Sequence, residues 1–248
     1  MTMKRESGNL GNKGKLLLLI SLTLIIAVVI SVAFYGYQGA KSSGNSYDFP
    51  QKTIRDFQLV SNKALQENEK LVILFIGAEA CPYCAAESWS IVYSLSSFGS
   101  WSGLTDIISN STDKIPNVPG YGFASSSLRS SNISFWEDEL TTSSWNQTLQ
   151  TLNASDASLF KRYDPQGAIP FLLVGGMYLH IGSGVSPSLI SGMDWSQCYR
   201  EAESKDQFSG EVNAEANNIS SVISYLLDNR QYWNEDAIII ALNLSFDI

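Results

Sequence analysis

Side chains that carry enzyme chemistry are scarce in this chain. Its 248 residues include one histidine, His180, and three cysteines, Cys81, Cys84 and Cys198. One histidine excludes every multi-histidine metal site and confines Ser-His-Asp chemistry to whatever His180 can reach. Three cysteines exclude a small scaffold held together by many disulfides. Positive charge is also short: 16 Lys and Arg stand against 24 Asp and Glu, a formal charge of -8. That balance argues against nucleic acid as a partner, because phosphate binding needs a basic stripe. Hydrophobic residues at 44% and charged residues at 16% exclude a wholly disordered polymer. No internal repeat is visible, and the length suits one or two domains with a real core.

What charge there is lies unevenly. Residues 1–15 hold Lys4, Arg5, Lys13 and Lys15 against Glu6 alone, and residues 16–35 hold none. The remainder carries 12 basic and 23 acidic residues. The uncharged run, LLLLISLTLIIAVVISVAFY, is 20 residues long and free of proline. At about 1.5 Å per residue a helix of that length spans about 30 Å, the thickness of a bilayer's hydrocarbon core. Tyr35 and Tyr37 fall where an interfacial aromatic belt belongs. A cleaved signal peptide is the alternative, but its apolar region is shorter, and Ala33-Phe34-Tyr35 is a poor cleavage site. The expectation is therefore a cytoplasmic stub (1–15), one transmembrane helix (16–36), a flexible linker (37–49) and an extracellular domain (50–248). The basic residues ahead of the helix place the N-terminus inside. Asn-x-Ser/Thr sequons occur only after the helix, at Asn110, Asn132, Asn146, Asn153, Asn218 and Asn243, as suits a surface open to glycosylation.

Within the exported part, Pro50 opens a stretch whose apolar residues Ile54, Phe57, Val60 and Leu65 suggest one face of a helix. Leu71 to Ile76 is a continuous apolar run, the mark of a strand buried on both faces as in a parallel sheet. From Cys81 to Phe98 the pattern turns helical, with Trp89, Ile91, Val92 and Leu95 as its apolar stripe. Residues 99–155 are rich in Ser, Asn, Thr and Gly and read as a long surface excursion, with short strands at Asp106–Ile108 and Ile133–Trp136. A helix follows near Ala157–Tyr163. The runs Ala168–Val174 and Met177–Ile181 then flank Gly175-Gly176 as a β-hairpin. Val212–Leu227 is expected to be helical, and Ile238–Leu244 is an apolar run too short to span a membrane.

The sharpest motif is Cys81-Pro82-Tyr83-Cys84, between the apolar strand and the helix. Its spacing brings both sulfurs onto one helical turn, within reach of a reversible disulfide. The unpaired N–H groups and positive dipole end of the helix favour a thiolate at Cys81. Pro82 suits the first turn, where its missing N–H costs nothing. Such a pair performs thiol–disulfide exchange: Cys81 attacks and Cys84 resolves the mixed disulfide. Two other uses compete with exchange. Cys81, Cys84, Cys198 and His180 together would make a Cys3His zinc set, and an exported domain can keep a purely structural disulfide. The strand–loop–helix context and the proline between the cysteines favour redox chemistry.

Cys81-Pro82-Tyr83-Cys84 resembles the glutaredoxin active-site tetrapeptide. The wider stretch from Phe75 to Trp89, FIGAEACPYCAAESW, together with Phe98-Gly99 and Ile169-Pro170-Phe171, is similar to an archaeal family of membrane-anchored, thioredoxin-like proteins, domain of unknown function 929. The likeness runs over roughly residues 50–230. It implies an α/β, thioredoxin-like fold enlarged by a Ser-rich insertion (about 99–155) between the CxxC helix and the strand after Pro170. It also implies a cis Ile169–Pro170 bond beside the dithiol, with both residues contacting substrate, and Pro82 and Tyr83 serving the dithiol. No cofactor beyond a redox-active Cys81–Cys84 disulfide is implied. The family has no established substrate.

The chain departs from ordinary thioredoxins twice. Cys81 and Pro170 stand 89 positions apart, and Phe75 occupies the place of the buried acid six residues before the first cysteine. Glu79 and Glu87 are the nearest substitutes, although acids at a helix start are as readily solvated. Cys198 is read as a buried free thiol ahead of an intermolecular partner or a third redox thiol. His180 is read as a hairpin surface residue. Trp101, Tyr121 and Trp136 are read as packing residues ahead of substrate contacts. The functional expectation is a membrane-anchored thiol–disulfide oxidoreductase acting on thiols and disulfides of exported proteins. Its rival is a redox-inert, glycosylated cell-surface binding module with a structural CxxC disulfide.

Overall fold

The structure, a computed structural model, describes residues 50–230 and Trp233. The expected stub, anchor and linker, the apolar run Ile238–Leu244 and the sequon at Asn243 lie outside the described residues. Among the described residues no helix is long and apolar enough to cross a membrane.

The elements run in the order β1 (Thr53–Ile54), β2 (Phe57–Leu59), β3 (Gln66–Glu67), β4 (Lys70–Gly77), α1 (Pro82–Leu95), β5 (Ser100–Ser102), β6 (Thr105–Ile108), β7 (Pro119–Gly122), β8 (Ser127–Arg129) and β9 (Ile133–Glu139). Then follow α2 (Ala154–Tyr163), β10 (Phe171–Val174), β11 (Tyr178–Ile181), a 3-10 turn (Pro187–Leu189), α3 (Trp195–Ala202) and α4 (Gln207–Asp228). Seven strands form one sheet in the order β1-β2-β11-β10-β4-β3, with β9 also paired to β4.

The apolar run is β4, and every residue from Leu71 to Gly77 is buried. Side chains alternate across a strand, so β4 feeds two cores. Leu71, Ile73 and Phe75 join Ile91, Val92 and Leu95 of α1 and Ile219, Val222, Ile223 and Leu226 of α4. Val72, Leu74 and Ile76 join Leu159 of α2 on the opposite face. The domain is thus a helix–sheet–helix sandwich. The sheet is mixed rather than parallel: β9 runs parallel to β4, with Ile73 opposite Phe135 and Gly77 opposite Glu139, whereas β10 runs antiparallel, with Phe171 opposite Ile76. The β10–β11 hairpin forms as expected, and Gly175 and Gly176 both take left-handed backbone (φ +62 and +67) in its turn.

Two expectations fail. The stretch after Pro50 is not a helix but the β1–β2 ribbon, turned at Arg55 with φ +55. Its apolar residues are divided between the two cores, Ile54 and fully buried Phe57 in that of α1 and α4, Val60 and Leu65 in that of α2. Residues 99–155 are not one surface excursion either. β9 lies inside the main sheet, so the insertion proper divides into the β5–β8 and β6–β7 ribbons before β9 and a loop after it. The ribbons also contribute to the core, for Val118 and Phe123 are fully buried.

Candidate functional site

The site is built at the C-terminal end of β4. The chain leaves Gly77, turns through Ala78–Ala80 and enters α1 with Cys81 as its N-cap (φ -78, ψ 120). Cys81 Sγ accepts a hydrogen bond from the Cys84 amide at 3.2 Å, the use a capping oxygen usually has. Pro82 fills the first turn and is buried, while Tyr83 stands between the cysteines and is 47% exposed. Cys81, Cys84 and Cys198 are free thiols here.

The two thiols of the motif are electrostatically unequal. The Cys84 side chain, by hydrogen-bonding to Cys81, lowers the Cys81 pKa, and the amides of Cys84 and Tyr83 add to the effect. Burial drives the Cys84 pKa well above the ordinary thiol value, and its bond to Cys81 and the charge of Glu139 push it further. The Cys81 thiol is therefore the more readily ionised of the two.

The Ile169–Pro170 bond is cis. Pro170 immediately precedes Phe171, which pairs with Ile76 near the end of β4, so this bond and the motif lie at the same end of the sheet. Ile169 packs against the core cluster that holds Cys81 and Cys84.

The insertion braces this end of the molecule. The Asn110 amide donates to the Ala80 carbonyl (3.0 Å), and the Glu79 amide donates to the Thr141 carbonyl (3.0 Å). β7 lies directly on α1: Trp89 Nε1 donates to the Pro119 carbonyl (3.0 Å), and the Tyr121 amide donates to Ser88 Oγ (2.8 Å). A Cβ at Gly120 would stand 2.5 Å from the Ala85 carbonyl oxygen, so glycine is needed for this approach. Trp101 stacks on Phe123 and meets Phe135 edge-on, Tyr121 packs on Trp89 and Trp195, and Trp136 Nε1 donates to Glu67. All three aromatics pack, as expected.

Glu139 was not anticipated from sequence. It ends β9, opposite Gly77, and is 2% exposed. Its Oε2 accepts the amides of Phe123 and Ala124, both at 2.9 Å. Burial raises its pKa to about 7; the two amides pull it down, and the charges of Glu79 and Glu137 push it up. The one sequence sign was the acidic run Glu137-Asp138-Glu139 after an apolar strand, and only the register tells which of the three faces the motif. Of the expected substitutes, Glu79 is half-buried with a raised pKa, through burial, and lines an open polar cleft of about 840 Å³ with β6 and Thr142–Ser144. Glu87 is fully buried, not solvated, and turns toward Ser183 Oγ (3.0 Å) and the Gly184 amide (2.9 Å).

Cys198 sits in α3, which opens with a capping box of Asp194 and Gln197. It is fully buried, and burial pushes its thiol up to about 12. Its apolar cluster contains Trp89, Ile190 and Phe208 but not Cys81 or Cys84. His180 is half-buried on β11, opposite Leu172 and against Phe57. Among the described residues no group of three or more His, Cys, Asp or Glu side chains is placed to hold a metal ion. Of the sequons, Asn132, Asn146 and Asn153 are exposed. Asn110 donates to the Ser143 carbonyl, and Asn218, within α4, donates to Glu215 and Asp56.

Residues 56–156 match the family described as Domain of unknown function (DUF929). The matched stretch holds the cysteine motif, α1, the insertion ribbons and Glu139, and it stops short of Pro170. No curated protein and no solved structure matches the chain.

Proposed function

We propose that this chain is an extracytoplasmic thiol–disulfide oxidoreductase, tethered to the membrane through residues 16–36, that acts on exported proteins through Cys81 and Cys84. The observation that carries the reading is the inequality of the two thiols: Cys81 caps α1 and is favoured as thiolate, while buried Cys84 keeps its proton. A thioredoxin-like reading of the domain is supported by the element order. A buried strand leads into the CxxC helix, a parallel strand and a helix follow, and a cis-proline opens an antiparallel hairpin ahead of the last long helix.

In the reducing direction, the Cys81 thiolate attacks one sulfur of a substrate disulfide. A Cys81–substrate bond forms and the other substrate sulfur leaves as thiolate. Cys84 then loses its proton and attacks Cys81 Sγ, closing the Cys81–Cys84 disulfide and releasing the second substrate thiolate. Two electrons pass from the dithiol to the substrate, and the reverse sequence oxidises a substrate dithiol. Ile169 and Pro170 precede the strand that pairs with the end of β4, and they are the contacts proposed for substrate backbone.

Titration of the full-length chain against glutathione, read by alkylation and mass spectrometry, tests the reading. A Cys81–Cys84 couple between about -120 and -270 mV is expected, the range of exchange catalysts. A couple below about -300 mV, with Cys81 inert to alkylation after mild reduction, would instead make the pair a structural disulfide.

A further inference from the structure

We infer that Glu139 receives the proton of Cys84 when that thiol resolves the mixed disulfide, and that Glu79 links Glu139 to the solvent of the polar cleft. The inference rests on the oxidoreductase reading and names the group that the reading leaves open. Resolution requires a buried thiol to become a nucleophile, and bulk water does not reach it: Cys84 is 3% exposed. A base must lie within the protein.

The fold brings one there. Register places Glu139 opposite Gly77, where the chain departs toward Cys81. Its carboxylate is fixed through Oε2 by the amides of Phe123 and Ala124, and Phe123 belongs to the same core cluster as Cys81 and Cys84. The charge of Glu139 is felt at Cys84. The acidic groups that bear on Glu139 are Glu79 from the loop before α1 and Glu137 from its own strand. Glu79 continues the path outward. Its Oε1 lies 3.5 Å from where a Cβ on Gly122 would stand, next to the segment that holds Glu139, and it lines the cleft. The other buried acids point elsewhere: Glu87 bonds Ser183 and Gly184, Asp138 interacts with Asp156, Glu215 accepts from Asn218, and Asp164 accepts the amides of Gln166 and Ala168.

The step balances. The Cys84 S–H proton moves to the Glu139 carboxylate as the Cys84–Cys81 bond forms and the Cys81–substrate bond breaks. Glu139 then returns its proton through Glu79 to solvent or to the departing thiolate.

The test is stopped-flow reaction of the reduced full-length chain with 5,5′-dithiobis(2-nitrobenzoate), which separates attack by Cys81 from resolution by Cys84. In the wild type the resolution rate is expected to rise with pH through an inflection near 7, as Glu139 becomes able to accept. Glu139→Gln is expected to slow resolution about a hundredfold at neutral pH and to move its rise to alkaline pH. The attack phase should be unchanged, and Glu139→Asp should restore part of the rate. Glu79→Gln is expected to give a smaller loss that added buffer acids relieve. Unchanged resolution and pH profile in Glu139→Gln, or equal slowing of both phases, overturns the inference. Should that variant not fold, carbon NMR of the wild-type Glu139 carboxyl decides: its midpoint must agree with that of resolution to within about one pH unit. If the wild type closes no Cys81–Cys84 disulfide at all, the oxidoreductase reading itself fails, and this inference with it.

Discussion

On one side of α1, Glu139 is held by two amides, its charge reaches Cys84, and Glu79 stands between it and an open cleft. On the other side, Glu87 of α1 and Glu215 of α4 are packed together. One oxygen of each is bonded, and the other is buried without a hydrogen-bond partner. Burial, and then the charge of Glu215, raise the Glu87 pKa well above the ordinary carboxylate value. Both sides bury acids, but only the first sets its acid toward a thiol of the motif, with Glu79 between it and the cleft. Under the proposed function, buried carboxyl groups alone do not mark the reactive end; connection to a thiol and to solvent does.

The thiols divide in the same way. Cys81→Ser should abolish disulfide exchange, whereas Cys198→Ala should leave its rate unchanged; exchange with a model disulfide checks both. Equal losses would join the two sides into one site. Trp89→Ala attacks the sealed side, because Trp89 is fully buried and packs on Tyr121, Trp195 and Phe208 at 4.8–5.7 Å. It should cost about 3–5 kcal/mol in urea unfolding, as loss of a buried aromatic does.

The raised carboxyls also make stability depend on pH. Glu139 and Asp138 hold their protons in the fold up to about 7, whereas the unfolded chain loses them near pH 4. Between these values the folded state binds more protons, so stability falls as pH rises. Glu139 alone accounts for about 3 kcal/mol over that window, and the melting temperature should be lower at pH 8 than at pH 5. Glu139→Gln should flatten this dependence. Glu87→Gln removes a charge that burial already disfavours and keeps the side-chain shape, so its stability at neutral pH should change by less than about 1 kcal/mol and its exchange kinetics not at all. Slowed exchange in Glu87→Gln would erase the contrast between the two sides.

Much of the reactive end was legible in the sequence. The apolar run of β4, the Cys81–Cys84 motif at a helix start and the Gly175-Gly176 hairpin each have a local signature, the cis bond at Pro170 was implied by the family resemblance alone, and each is in place. What was missed depends on distant pairing. The β1–β2 ribbon turns on Arg55, a residue with no turn preference of its own, so its apolar spacing passed for a helix face. The Ser-rich composition of the insertion hid Val118 and Phe123, whose burial comes from packing on α1 and the main sheet. α3 does carry a local signal, Asp194 and Gln197 in capping-box spacing. Glu139 becomes visible only once β9 is known to run parallel to β4 in a register that sets it against Gly77.

The central claim is the inequality of Cys81 and Cys84, and the most direct measurement is the pH dependence of alkylation at each cysteine of the reduced full-length chain, resolved by peptide mass spectrometry. The expected result is that Cys81 reacts first, with a midpoint below the ordinary thiol value, while Cys84 and Cys198 stay protected until well above it. Equal midpoints for Cys81 and Cys84, or earlier reaction at Cys84 or Cys198, would contradict the account.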